Sequence, residues 1–310
     1  MKKTFFLILV FLSIGLFSNK TFAQYYFYND AYYDNPVLFE VGASVGVMNC
    51  LTDLGGKKGI GKRFIKDLNF GYNKMCGGAF FGMMYRNAFG ARLEASFGKV
   101  SSDDAVLASV PEGDIARTRY NRNLNFQSNI TEFSLITELH PIHTFINWES
   151  RDDVPPLYSP YLLAGVGYYS FNPQANINNK LIDLQPLRTE GQGFKQYPDR
   201  SIYKLRQFNF PLGAGVKYEL SPIVNLRAEF VYRILTTDYL DDVSTRYIDP
   251  AAFAANGFTG VRLANALLAN DRQIDKVTGP GGKRGSPTEN DAFFSFNLKI
   301  SMILGREGIR

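Results

Sequence analysis

Three aspartates stand close together in one stretch of the chain, and their carboxylates are candidates for chemistry. Asp238, Asp241 and Asp242 lie in TTDYLDDVSTRYIDP, residues 236–250. Calcium is bound by oxygen ligands, for which clustered carboxylates are a common source. Acids in a loop also cap turns or pair with a base, here Arg246. We expect the loop role and predict no metal site.

One stretch of the sequence nearly matches a phosphate-binding motif but lacks its last residue. GKKGIGKR, residues 56–63, has the glycine and lysine spacing of a P-loop. The last position must carry a hydroxyl that reaches Mg²⁺, and Arg63 stands there instead. We interpret the stretch as a basic, solvated loop and predict no cofactor.

The chain has two histidines, His140 and His143, separated by a proline and an isoleucine. A two-histidine pair of this kind is a weak metal signal. No serine–histidine–acid arrangement can be recognised from spacing. The sequence therefore predicts no catalytic residue and no small-molecule substrate.

Cys50 and Cys76 fall at the end of one predicted strand and the start of the next, with the same inferred facing. A cross-strand disulfide is one interpretation, because an exported chain folds in an oxidising compartment. Two reduced, buried thiols are the other. The sequence leaves both open.

The N-terminus has the pattern of a secretory signal peptide, residues 1–23. Lys2 and Lys3 precede an apolar stretch over residues 5–17, and small residues lead to Ala23. We predict cleavage after Ala23. The mature chain would then begin with an aromatic segment over residues 24–36.

The charge of the mature chain is nearly balanced. Of 34 lysines and arginines, Lys2, Lys3 and Lys20 lie in the signal, which leaves 31 against 29 acids. Nucleic-acid binding needs a concentrated basic face. We therefore expect no nucleic-acid partner.

Eight segments alternate apolar with polar or small residues, the pattern of strands. Their polar side consists of glycine and single charges of both signs, which suits the narrow interior of a barrel better than the wet face of a soluble sandwich. Several are long enough to cross a bilayer when tilted. The segments are 38–50, 76–86, 89–99, 130–139, 160–170, 207–220, 224–234 and 291–304.

Short and long connections alternate along the chain, as in bacterial outer-membrane barrels. We predict an all-β, eight-stranded, antiparallel up-and-down barrel of the OmpA-like kind over 37–304, with a tail at 305–310. An even strand number places both termini in the periplasm. The longest outer loop, 237–290, contains a predicted short helix at 260–271.

A barrel of eight strands is only wide enough for side chains. The inferred inward charges are balanced in sign, which predicts paired networks, a plugged lumen and no stable pore. These residues are Glu40, Arg86, Arg92, Glu94, Glu132, Glu138, Lys217, Glu219, Arg227, Glu229, Arg233 and Lys299.

An ordered set of segments resembles the PorG family of outer-membrane barrels, from about residue 38 to residue 303. The segments are CLTDLGG (50–56), SSDDA (101–105), RNLNFQSNITEFSL (122–135), SPYLLAGVGYYSFNP (159–173), LQPLRTEGQGF (184–194), FPLGAGVKYELS (210–221), TDYLDDVSTRY (237–247) and KRGSPTENDAFFSFNLKIS (283–301).

The resemblance implies a non-enzymatic component of the type IX secretion system of Bacteroidetes-type bacteria, a system often coupled to gliding motility. The implied partners are outer-membrane lipids and a periplasmic ring lipoprotein with its partner, PorK and PorN in the best-known systems. Candidate partner or loop-ordering contacts are Asp238, Tyr239, Asp241, Asp242 and Trp148. The alternative is a general structural barrel without a dedicated secretion role.

Overall fold

A computed structural model describes residues 36–56, 70–146 and 156–305. The predicted signal peptide, nearly all of the aromatic segment 24–36, most of the P-loop-like stretch with Arg63, Trp148 and most of the tail lie outside the described residues. Within the described part of the chain, no helix is long and apolar enough to cross a membrane.

The described ranges contain ten strands, all paired antiparallel. Eight of them run β3-β2-β1-β10-β9-β8-β5-β4, and pairing of β3 with β4 closes the ring. The predicted eight-stranded barrel is confirmed. The strands are β1 Val37–Leu51, β2 Lys74–Tyr85, β3 Phe89–Asp103, β4 Asn125–Leu139, β5 Tyr158–Ser170, β6 Pro173–Ile177, β7 Lys180–Asp183, β8 Arg206–Ser221, β9 Val224–Leu235 and β10 Ala292–Leu304.

The remaining two strands, β6 and β7, form a hairpin that continues from β4 outside the ring. Alternation did not predict this hairpin, because each strand has only four or five residues. Strands β3 and β4 also run further than predicted. They stay paired to Asp103 and Asn125, where the sequence no longer supplies an outward apolar residue.

The outer wall of the barrel is apolar, and the inner wall is polar. Exposed fractions reach 62% at Leu93 and 60% at Val45 and Phe133. Such an arrangement inverts that of a water-soluble domain, and the closed ring of strands leaves no open sheet edge toward the surroundings. The barrel therefore has the surface of a bilayer-spanning protein.

One end of the barrel, here called the turn end, carries tight turns between β2 and β3 and between β8 and β9. The first strand begins and the last strand ends here, since Phe39 pairs with Leu304. Arg86 lies in the β2–β3 turn with a left-handed φ of 51° and is exposed. The prediction of an inward Arg86 is wrong, because β2 ends one residue earlier.

The opposite end, here called the loop end, is covered by a compact structure that we name the loop cap. It comprises the described residues of 52–72, 104–124, 171–205 and 236–291. Its helices are α1 Arg117–Arg122, α3 Ala251–Ala255 and α4 Gly260–Asn270, whereas α2 Pro141–Phe145 lies at the turn end. The predicted helix at 260–271 is α4.

A hydrophobic core holds the loop cap together and joins it to the strand ends. Phe194, Phe253 and Phe258 pack edge-to-face in its centre. Phe293 of β10 belongs to the same cluster of buried residues. The loops are therefore a folded extension of the barrel, and their polar groups must be satisfied internally.

Candidate functional site

Eleven of the twelve predicted lumen charges lie inside the barrel and are buried, Arg86 being the exception. Arg92 on β3 is bound by three carboxylates. Its guanidinium lies 2.8 Å from Glu94 and 2.7 Å from Glu229, and it also pairs with Glu138. These acids come from β3, β9 and β4, so Arg92 ties the barrel together across its width.

Two further cations extend this network. Arg227 pairs with Glu40 and lies 2.8 Å from Glu138. Lys299 lies 2.6 Å from Glu94 and 2.9 Å from Glu229. Each acid is shared between two cations or held by a cation and a hydroxyl, which is the geometry that a buried charge needs.

An aromatic ring fills the middle of the network. Phe80 of β2 is 3% exposed. The guanidinium carbons of Arg92 and Arg227 lie 5.7 Å from its centroid, and Lys299 Nζ lies 5.3 Å away. These are cation–π distances. Side chains therefore fill the barrel at this level.

Separate pairs occupy the two ends of the lumen. Arg233 lies 3.0 Å from Glu132 toward the loop end. Lys217 lies 3.4 Å from Glu219 toward the turn end. The described lumen thus holds six buried acids against five buried cations. Nearly equal numbers of buried acids and cations are consistent with a lumen that side chains plug.

A serine, a histidine and a glutamate meet at the turn end, which spacing did not predict. Ser159 Oγ lies 2.8 Å from His140 Nδ1, and His140 Nε2 lies 3.3 Å from Glu138. Ser159 is 1% exposed and His140 is fully buried. Glu138 also binds two arginines. The group therefore packs the lumen end and offers no accessible nucleophile.

Cys50 and Cys76 are free thiols. The β1–β2 register places Cys76 opposite Gly46, four residues from Cys50. Four residues of strand span about 13 Å, whereas a disulfide needs Cα atoms about 4.4–6.8 Å apart. The disulfide interpretation is therefore wrong, because both thiols face inward but at different heights.

A second polar network lies in the loop cap, centred on Glu190. Its carboxylate is fully buried and accepts from Arg284 at 2.7 Å. It also accepts from the backbone of Ser244 at 3.0 Å and the hydroxyl of Thr245 at 2.6 Å. Sequence reasoning missed Glu190, since its partner Arg284 lies 94 positions away in the chain.

Asp242 lies beside this centre with a left-handed φ of 65°. It accepts from the hydroxyls of Thr189 at 2.5 Å and Tyr203 at 2.7 Å. Arg284 donates to its carbonyl at 2.7 Å. Burial raises the pKa of Asp242 to about 6, although Arg284 and the two hydroxyls favour the charged form.

Arg122 of α1, in the 104–124 loop, binds to the loop that follows β1 and to the loop that precedes β10. It binds Asp104 through two nitrogens at 2.9 and 2.8 Å. It also donates to the carbonyls of Arg284 and Asp53, both at 2.7 Å. These bonds of one buried guanidinium therefore hold three loops together.

Four of the five residues proposed as partner or loop-ordering contacts, all except the undescribed Trp148, lie within the cap. Asp238, Asp241 and Asp242 are buried, and half-buried Tyr239 stacks on Tyr203 with ring centroids 4.8 Å apart. Arg246 does not pair with these acids but donates to Gly281. Their position favours loop ordering. No three acidic, histidine or cysteine side chains of the described chain converge on a metal position.

Two of these acids are electrostatically unusual. Burial raises the pKa of Asp238 to about 9, with Asp241 and Asp53 adding to the effect. Burial likewise raises the pKa of Asp241 to about 8. The pKa of Asp291 is also raised, by burial and by the same neighbours.

No protein-family model and no curated protein matches the chain. Solved structures with a similar fold include Neisserial surface protein A, at 9% identity and a TM-score of 0.34 over 86% of this chain and 97% of that one. A major outer membrane protein from Thermus thermophilus has 12% identity and a TM-score of 0.38, over 87% of this chain and 100% of that one. The outer membrane protein OprG from Pseudomonas aeruginosa has 11% identity and a TM-score of 0.30, over 86% of this chain and 93% of that one.

These neighbours add no functional information at such identities and scores. The barrel fold of this chain rests on its own strand pairing.

Proposed function

We propose that this chain is a non-enzymatic outer-membrane component of the type IX secretion machinery, which anchors or positions the periplasmic ring. The filled lumen under a folded cap is the observation that supports a role in neither transport nor catalysis. Arg92, Arg227 and Lys299 close the interior around Phe80. A barrel without a solute path or an accessible catalytic group is suited to hold other proteins.

Placement in an outer membrane is supported by the surface and the connections. The apolar outer wall matches a bilayer, and short turns alternate with long loops, as they do in bacterial outer-membrane barrels. In those proteins the short turns face the periplasm. We therefore assign the turn end of this barrel to the periplasm and the loop cap to the outside.

The secretion role is supported by the resemblance to the PorG family and by where the resembling segments lie. LQPLRTEGQGF supplies Glu190, TDYLDDVSTRY supplies Asp242, and KRGSPTENDAFFSFNLKIS supplies Arg284. These three residues form one buried network in the cap. One buried network that needs residues from all three loops explains why each loop would require a particular amino-acid sequence.

Buried cap residues cannot bind a periplasmic ring, so the proposed contact surface is the turn end. Phe145 of α2 is 79% exposed there, and Tyr158 at the start of β5 is 58% exposed. Trp148 and the segment 24–35, which also belong to this proposal, lie outside the described residues.

The test is an affinity pull-down of the tagged protein from gently solubilised envelopes, with mass spectrometry of the recovered proteins. We expect the ring lipoprotein and its partner. Phe145→Ala should reduce their recovery, whereas Ile274→Ala, exposed on the cap, should not. Recovery of the barrel alone, with the ring intact in the extract, would favour the general structural barrel.

A further inference from the structure

The buried charges of the loop cap do not balance. Its described residues include six buried carboxylates but only two buried cations, Arg122 and Arg284. Arg122 is committed to Asp104 and Arg284 to Glu190. The lumen, by contrast, holds five cations against its six acids. An uncompensated buried carboxylate costs several kcal/mol in the charged form, so this excess requires a partner.

Asp242 is satisfied by the hydroxyls of Thr189 and Tyr203, and three acids remain. Asp291 accepts from the backbone of Leu240 at 2.8 Å. Asp241 accepts from the backbone of Val243 at 2.9 Å through Oδ1. Its Oδ2 atom is buried without a hydrogen-bond partner among the described residues, and so is Asp238 Oδ2.

The charged groups around these acids are further acids or cations already in use, whereas Cys50 of β1 and Tyr169 of β5 supply a thiol and a phenol. Half-buried Asp53 faces them from the segment after β1, and Glu190 faces them from the third outer loop. Arg122 is the cation that acts on Asp241, and exposed Lys283 acts on Asp53. Thr52 and Ser244 supply neutral hydroxyls.

We propose that the loop cap closes only when Asp238, Asp241 and Asp291 retain protons, so that the cap is a pH-sensitive device that loosens as the surroundings become alkaline. A proton on each of the three carboxylates removes the uncompensated charge. Opening of the cap returns the acids to water, where they ionise. The reaction is a simple release of protons to solvent and needs no other reactant.

The direction of the effect follows from linkage. The closed cap binds protons that the opened cap releases, so opening becomes more favourable as pH rises above about 4, the ordinary value for Asp. The effect levels off near pH 8 for Asp241 and near pH 9 for Asp238, where the closed form also ionises. Each such group shifts the opening equilibrium by up to about tenfold per pH unit.

The test is limited proteolysis of the full mature chain in lipid nanodiscs from pH 5 to pH 9. Cap cleavage by a protease with a broad pH range is divided by its cleavage of an unfolded substrate at each pH. We expect the wild-type rate to rise at least about 100-fold between pH 5 and pH 8, since one such group alone allows up to about 1000-fold over three pH units. The variant carrying Asp238→Asn and Asp241→Asn should lose most of this slope, because Asn retains the shape without the charge.

Asp275→Asn is the matched control, since Asp275 is an exposed acid of the same loop. This variant should retain the full slope. A wild-type rate that is flat from pH 5 to pH 9 would overturn the proposal, as would an unchanged slope in the Asn variant. If added calcium abolished the wild-type slope and a chelator restored it, a bound cation would be the neutralising partner, and the proposal would also fail. Should the Asn variant not fold, the wild-type series with and without calcium decides alone.

Discussion

Replacement of Arg92 by methionine tests whether the lumen network holds the barrel together. Arg92 is 2% exposed and pairs with Glu94, Glu138 and Glu229. Loss of one partner from a buried ion pair costs about 3–5 kcal/mol, because the other charge stays buried. Glu138 and Glu94 keep Arg227 and Lys299, so we expect Arg92→Met to cost the lower part of that range.

A domain of this size loses about 2–4 °C in melting temperature per kcal/mol. Arg92→Met should therefore melt about 6–16 °C lower than wild type. The assay is the heat-dependent gel migration of the purified barrel in detergent, with β-sheet circular dichroism as a second reading. Addition of Glu229→Gln should recover part of the loss, since it removes one of the acids left without Arg92.

Lys276→Met is the matched control. Lys276 pairs with Asp271 at 2.9 Å, but its side chain is 58% exposed, and an exposed pair contributes about 0–1 kcal/mol. Its melting temperature should stay within about 4 °C of wild type. Equal shifts in the two variants would refute the reasoning, because burial would then not determine the strength of these pairs.

Three further outcomes are expected. In planar bilayers the purified barrel should show no stable single-channel current, since Arg92 and Phe80 block the lumen; reproducible large conductance would contradict this. Thiol reagents should label Cys50 only after unfolding, and reduction should leave the electrophoretic migration of the unfolded chain unchanged, since Cys50 and Cys76 lie too far apart to bond; a shift on reduction would show that they are joined. Glu190→Gln should speed protease cleavage of the cap roughly tenfold or more through the weakened bond to Arg284, while the barrel fragment survives; whole-chain digestion would show that cap and barrel do not unfold separately.

Alternation along the chain was sufficient to predict the barrel, because inward and outward residues differ so sharply in a bilayer protein. The same reasoning placed eleven lumen charges correctly, from Glu40 to Lys299. It failed at Arg86, where a turn interrupts the alternation, and it could not identify which acid pairs with which base. Register across the ring decides that, and register is set by all eight strands together.

The cap was largely beyond sequence reasoning. Glu190 and Arg284 are 94 positions apart, and their contact depends on how two long loops fold over the barrel mouth. Spacing drew attention to Asp238, Asp241 and Asp242 as a group. The side chains that surround them come from three other loops, and no local pattern indicates such an arrangement.

The cap contacts also determine when this protein can finish folding. Ser286 donates to Asp53 across 233 positions, and Arg122 reaches the carbonyl of Arg284 across 162. Contacts so distant in sequence form late, because a long stretch of chain must first be closed. Since Asp53 follows β1 and Ser286 precedes β10, their contact requires the seam between the first and last strands to be joined. A chain whose barrel has not closed would therefore leave the loops loose and open to proteases, so an ordered cap marks a barrel whose assembly is complete.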